Sequence, residues 1–128
     1  MNNLTKRLYI MSAFQSGKSF QENFNAHNNL IDHLNEQGFN PAETIGQYQG
    51  TREHSIAMQG DLNMEPMVAN LAKEHNQESY LMVHPDKSSE LVYSNTGKRQ
   101  PLGTWTSVGK NKPTGDYTLI NGSYYQVK

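Results

Sequence analysis

Apolar positions arrive in short runs separated by turn residues, and the spacing within each run sets the element it predicts. Arg7-Leu8-Tyr9-Ile10-Met11 reads as a short buried strand, with residues 1–5 expected to fray before it and Gln15-Ser16-Gly17-Lys18 as a glycine-containing connection after it. Ser19-Phe20-Gln21-Glu22 carries the S-x-x-E spacing of a capping box. Phe20, Phe24, His27, Ile31 and Leu34 then recur every three or four residues up to Gly38, which predicts an amphipathic helix with those five as its buried stripe. Thr44 to Gln49 and Glu53 to Gln59 are strand-like and predict a hairpin turning at Gln49-Gly50-Thr51-Arg52. Asn63 can cap a second helix with Pro66 in its first turn and Met64, Met67, Val68, Leu71 and His75 as its stripe. Ser79-Tyr80-Leu81-Met82-Val83 follows as a strand closed by Pro85. Leu91-Val92-Tyr93 turns at Asn95-Thr96-Gly97, and Thr118-Leu119-Ile120 turns at Asn121-Gly122 into Tyr124-Tyr125-Gln126-Val127.

The first six elements run βαββαβ. That order predicts an α+β, ferredoxin-like antiparallel sheet with two helices on one face, the other face free, and C-terminal β-hairpins appended. At 128 residues the chain is expected to be a single domain, 1–128. Only 34% of it is hydrophobic, and no long apolar stretch suggests a membrane span or signal peptide, so a soluble, unexported, cytoplasmic protein is expected. Eleven Lys and Arg against twelve Asp and Glu leave a formal charge of -1, the wrong balance for holding nucleic acid through its phosphates. The chain has no cysteine, which removes disulfides, thiolate metal sites and cysteine nucleophiles.

Three motifs invite chemistry and give it little support. Ser12-Ala13-Phe14-Gln15-Ser16-Gly17-Lys18-Ser19 ends like a phosphate-binding loop, but it has Ser12 where the motif needs glycine. His27 and His33 are six residues apart and fall on different helix faces, so they do not make a metal pair, and His27 is read as a core or interface residue. Met58, Met64 and Met67 suit packing better than a cofactor site. The hairpin says more. With a four-residue turn, Tyr48 faces Glu53, Gly46 faces Ser55 and Thr44 faces Ala57 on the open side of the sheet, while Ile45 and Ile56 pair toward the helices. Register alone leaves two readings open: a ligand bed of small residues beside Tyr48 and Glu53, or a solvated strand-end charge next to a surface tyrosine.

The run Leu8-Tyr9-Ile10-Met11-Ser12-Ala13-Phe14, Gly46-Gln47-Tyr48, Thr51-Arg52-Glu53, Leu91-Val92-Tyr93, and the closing Gly103-x-Trp105, Pro113, Tyr117-Thr118 and Tyr125-Gln126-Val127 resemble the bacteriophage S-adenosylmethionine lyases, formerly called hydrolases. The similarity is collinear from about residue 7 to 128. It implies a ferredoxin-like fold similar to the trimeric nitrogen-regulatory signal proteins, a homotrimer with substrate bound between subunits, and anti-restriction by depletion of the methyl donor in the host cytoplasm. It also implies that Glu53 matches the family's essential glutamate, and that Ser12, Ala13, Phe14 and Tyr48 lie where substrate is held, beside Gly46 and Ser55 of the small-residue bed.

The implied substrate carries a sulfonium cation and its own carboxylate. Attack of that carboxylate on the γ-carbon would expel 5′-methylthioadenosine and leave homoserine lactone, with no water, metal or other cofactor required. Alternatives are a hydrolase in which Glu53 activates water to give homoserine, and a non-catalytic trimeric regulator that binds an adenine nucleotide. A protein that blocks a host enzyme by mimicking DNA would need a far more acidic chain. The open face needs cover to exclude water, so a neighbouring subunit's C-terminal hairpins, bearing Trp105, Tyr117, Tyr124 and Tyr125, are expected to close the site.

Overall fold

The computed structural model describes residues 6–15, 17–48 and 50–128, and the side chains of Tyr48 and Thr51 fall outside that description. The expected fraying of residues 1–5 therefore lies outside it, as do Ser16 of the first connection and Gln49 of the hairpin turn. Among the described residues the chain runs β1 (Arg7–Met11), α1 (Phe20–Glu36), β2 (Ala42–Tyr48), β3 (Thr51–Gly60), a 3-10 turn (Leu62–Met64), α2 (Glu65–Glu74), β4 (Ser79–Val83), β5 (Ser88–Tyr93), β6 (Arg99–Gly109), β7 (Tyr117–Ile120) and β8 (Ser123–Val127).

Helix α1 starts as its spacing requires. The Ser19 hydroxyl accepts from the Glu22 amide at 3.1 Å and the Glu22 carboxylate accepts from the Ser19 amide at 3.2 Å. Its buried stripe is Asn23, His27, Leu30 and Leu34, one position away from the expected stripe at two of its places, and Phe20 is left 67% exposed. Asn23 displaces Phe24 inward because its amide clasps the chain before the helix, accepting from the Gln15 amide at 2.8 Å and donating to the Gln15 carbonyl at 3.1 Å. Asn63 lies inside the 3-10 turn rather than at a helix cap, and α2 buries Glu65, Val68, Leu71 and Ala72.

The strands form one closed antiparallel barrel in the order β1-β3-β2-β7-β8-β6-β5-β4. This overturns the expected open ferredoxin-like sheet with appended hairpins, and the likeness to trimeric nitrogen-regulatory proteins that went with it. The βαββαβ order is present, but neither sheet edge stays free: β7 pairs with β2, and β5 pairs with β4. Closure removes the unpaired backbone groups that an edge would expose. It also covers the face expected to stay open with strands of the same chain, so the argument that a neighbouring subunit must cover that face does not hold.

Alternation along the strands then serves two cores. Tyr9, Met11, Ile56, Met58, Tyr80 and Met82 point outward and pack against Leu30 and Leu34 of α1 and Val68 and Leu71 of α2. Ile10, Ala57, Val83 and Trp105 point inward, with Leu8, Leu81, Ile120 and Tyr125 packed against them. Strand β6, eleven residues long, joins β5 to β8 and carries the turn of the barrel through Gly103. Gly103 has φ +138°, and a Cβ there would lie 2.6 Å from the Lys128 carbonyl oxygen, where Thr104 and Lys128 exchange backbone hydrogen bonds of 2.7 and 2.8 Å. Among the described residues, no helix is long and apolar enough to cross a membrane.

An ion network ties α2 to the outside of the barrel. Arg99 of β6 donates to Glu65 at 2.6 Å and also to Glu90, Tyr80 donates to Glu65 at 2.7 Å, and His84 lies 3.4 Å from Glu90. Burial, reinforced by Glu65, pushes the Tyr80 hydroxyl well above its ordinary value, so it stays a neutral donor. Burial opposes the charge on Glu90, but hydrogen bonds from Arg99 and His84 outweigh it and hold the Glu90 carboxyl below the usual carboxylate value.

Two outcomes follow from these contacts. Gly103→Ala should destabilise the fold by about 1–3 kcal/mol, the range for a backbone conformation that resists a side chain, read from urea unfolding; an unchanged midpoint would mean the β6–β8 seam is not tight. For Glu90 the folded pKa is depressed, so its stabilisation is full above the unfolded value of about 4.3 and is lost as pH falls through the folded value. Glu90→Gln should therefore lower the melting temperature at pH 7, and the gap to the parent protein should narrow as pH falls below about 4. A gap that stayed constant with pH would contradict the ion-pair role.

Candidate active site

A cavity of about 770 Å³ reaches from the barrel interior to one end, where β2 finishes and β3, β4 and β7 begin. Four of the predicted site residues line it: Ser12, Gly46, Glu53 and Ser55. They meet there because β2 and β3 pair with Gly46 opposite Glu53 and Thr44 opposite Ser55. This register is two residues from the expected one, since the strands are joined by residues 49–50 alone, with Gly50 at φ +81°. A shift of two keeps every side chain on its face, so the predicted bed of small residues survives with different partners.

The other predicted residues are elsewhere. Ala13 is fully buried in the core beneath the helices. The Phe14 ring joins an aromatic cluster, stacked on His54 at 5.2 Å and edge-on to Phe24 and His27 at 5.5 and 5.6 Å. Both side chains therefore serve packing rather than line the cavity. The Tyr48 side chain lies outside the described residues. The Ser12 hydroxyl is already engaged, donating to the His54 carbonyl at 2.8 Å and accepting from the Phe14 amide at 3.0 Å, so it clips the end of β1 to β3 beside Glu53. His27 is buried with Nε2 3.0 Å from Glu43, a structural contact on the far side of the sheet from the cavity. Met58, Met64 and Met67 pack in or against the helix-side core.

Of the rest of the lining, Trp105, Tyr117 and Tyr125 were expected to close the site from a neighbouring subunit and instead line it within one chain, whereas Gln77, Glu78, Asp116 and Thr118 were not expected. Closure by β7 brings Asp116, Tyr117 and Thr118 against β2, and the α2–β4 connection adds Gln77 and Glu78. Gln126 fixes the loop before β7 by donating to the Thr114 and Asp116 carbonyls at 2.7 and 3.0 Å. Trp105 stacks on Tyr125 with centroids 5.1 Å apart and planes at 12°, inside one chain rather than across a subunit boundary. Thr44 also lines the cavity, 2% exposed, and its hydroxyl has no hydrogen-bond partner among the described residues. The hairpin register had placed Thr44 on this face; nothing in its sequence neighbourhood distinguishes it from a packing residue.

The charge of the lining is one-sided. Glu53, Glu78 and Asp116 are its ionisable groups of full charge, and no Lys or Arg takes part. Glu53 and Asp116 are exposed at the mouth, and the Glu53 carboxylate makes no hydrogen bond or ion pair among the described residues. Among the described residues, no cluster of three or more His, Asp or Glu side chains could hold a metal. A second, larger groove beside α2 is lined instead by Arg7, Lys73, Arg99 and the carboxylates they accompany. The barrel cavity is thus a compartment for a cation, with a carboxylate rim at its mouth and aromatic walls.

Such a lining, on a small barrel flanked by two helices, suits a cationic small molecule. The S-adenosylmethionine lyase family matches residues 9–128, nearly the whole chain, and the chain belongs to that family. The expected family relationship thus stands, and with it lyase activity on S-adenosylmethionine. A search of curated proteins finds no match.

Proposed function

We propose that the protein cleaves S-adenosylmethionine by intramolecular displacement, giving 5′-methylthioadenosine and L-homoserine lactone. The observation that carries this reading is the lining of the barrel cavity, with three carboxylates and no basic side chain facing a substrate that carries a sulfonium and an α-ammonium. The substrate's carboxylate oxygen attacks its own γ-carbon, the carbon–sulfur bond breaks, and its electron pair leaves on sulfur. The sulfonium and carboxylate charges vanish together, while the α-ammonium keeps its charge throughout. Transfer from water into a walled cavity therefore favours the reaction, because the charges that lose hydration are the ones being consumed. Folding the tail into line adds a proximity contribution of about 7–11 kcal/mol when the geometry is right.

Glu53 grips the α-ammonium, which stays charged through the reaction, and so fixes the tail in its reactive fold. The lyase outcome is preferred to hydrolysis on the surroundings of that carboxylate. The neighbouring imidazole of His54 is turned into the Phe14 and Phe24 cluster, and no histidine or second acid bonds to Glu53 among the described residues. A general base for water needs such a partner to orient and tune it. A non-catalytic nucleotide regulator is disfavoured by the same lining, since carboxylates repel phosphates. The homotrimer with sites between subunits rests on the resemblance alone; the cavity described above is bounded within one chain. Depletion of the methyl donor would starve methyltransferases, restriction systems included, which is the counter-defence role proposed here.

Two measurements test the reading. In isotopically labelled water the early product should be unlabelled lactone; label in freshly formed homoserine without lactone would establish hydrolysis instead. Glu53→Gln should lose more than nine-tenths of the parent turnover with an unchanged melting temperature, since an exposed strand-end side chain contributes no more than about 0.5 kcal/mol to folding. Retained turnover above that level would remove Glu53 from the chemistry.

A further inference from the structure

We infer that the substrate enters nucleoside end first, and that Thr44, deep in the barrel, is the residue that recognises the nucleoside by a hydrogen bond. The inference rests on the proposed function of the same cavity. Three observations carry it. The first is the gradient of the lining: exposed carboxylates sit at the mouth, whereas Ile10, Leu81, Leu91 and the stacked Trp105–Tyr125 pair form its apolar and aromatic part. The α-ammonium keeps its charge through the reaction and is costly to dehydrate away from the carboxylates at the mouth, whereas the uncharged adenine ring is not. The orientation that costs least keeps the tail at the carboxylates and sends the nucleoside inward.

The second observation is the Thr44 hydroxyl itself. Thr44 lines the cavity, and its hydroxyl is buried with no partner among the described residues, although a buried hydroxyl in a strand ordinarily finds one. A hydroxyl left in that state is satisfied by the molecule that fills the cavity. The third is the geometry around it. Thr44 stands opposite Ser55 on β3 and opposite Ile120 on β7, and Gly46, two residues along the same face, has no side chain to intrude between Thr44 and the mouth. The wall from Glu53 inward to Thr44 is therefore lined by the small side chains of the hairpin.

The test uses 5′-methylthioadenosine, which retains the nucleoside and lacks the amino-acid tail, with the full-length protein and calorimetric titration. Thr44→Val keeps the β-branched shape of the strand and removes the hydroxyl, while Thr44→Ser keeps the hydroxyl. Thr44→Val should bind methylthioadenosine about tenfold more weakly, raise KM for S-adenosylmethionine by a similar factor, and leave kcat within about twofold. Thr44→Ser should bind within about threefold of the parent, which also shows that any loss in Thr44→Val is not a folding defect. Glu53→Gln should bind methylthioadenosine like the parent protein, because its partner, the tail, is missing from the probe. Equal affinity of Thr44→Val and parent would overturn the inference and leave the proposed function standing. Weakened binding in Glu53→Gln as great as in Thr44→Val would overturn the inferred orientation. A parent protein that binds methylthioadenosine through Thr44 yet does not consume S-adenosylmethionine would support the inference and sink the proposed reaction.

Discussion

The pairing of β2 with β7 is the constraint on which the rest of the structure depends. Four residue pairs, from Thr44 opposite Ile120 to Gln47 opposite Tyr117, join residues seventy or more positions apart. Without them β1, β3, β4 and β2 would form an open sheet with the helices on one side and solvent on the other. With them, the solvent side becomes an interior. The same side chains that would have been a shallow surface bed, Thr44, Gly46, Glu53 and Ser55, become the wall of a cavity. Water exclusion, charge confinement and the burial of Thr44 all follow from that one seam.

Which parts of this were legible in the sequence depends on how local their causes are. The α1 start was readable because the capping box is a contact between residues three apart, and the β7–β8 turn was readable because Asn121 and Gly122 supply the positive φ values, +49° and +83°, that a two-residue hairpin needs. Strand β6 was not. Of its eleven residues only Trp105 is buried, so it shows no alternation, and Pro101 and Gly103 interrupt it as a turn would. The barrel itself could not be read either, because the β7 residues are all half-buried and no apolar pattern tells that strand which edge it will find.

The candidate site was half legible for a related reason. Face assignment in a strand depends only on parity, so an error of two in the hairpin register left Gly46, Glu53 and Ser55 on the correct side. Ala13 and Phe14, which the resemblance alone had suggested, follow β1, where the chain leaves the sheet and strand parity no longer sets direction. Ser12 is the last residue to line the cavity before the Asn23 and Gln77 side chains hold the Phe14–Gln15 backbone on the helix side. Asp116 and Tyr117 came from the far end of the chain, and only closure relates them to Glu53.

Thr44 shows how a defect in the folding account can be informative about function. Leaving a buried hydroxyl unpaired costs about 1–3 kcal/mol, and valine at that position would avoid the cost with almost the same shape. Unpaired buried groups alone do not identify a site, since the His27 Nδ1 atom and the Ser94 hydroxyl are in the same condition. His27 sits among Phe14, Phe24 and His54 in an aromatic cluster, and Ser94 faces the groove where arginines and lysine would repel a cation. Thr44 alone of the three faces the cavity that holds carboxylates and no basic group. The same burial that makes its hydroxyl costly in the empty barrel makes a hydrogen bond there strong when the barrel is filled, because the competing water has already been removed. Local inconsistency with good folding, placed where the electrostatics suit one class of ligand, is what distinguishes a binding residue from an imperfect core.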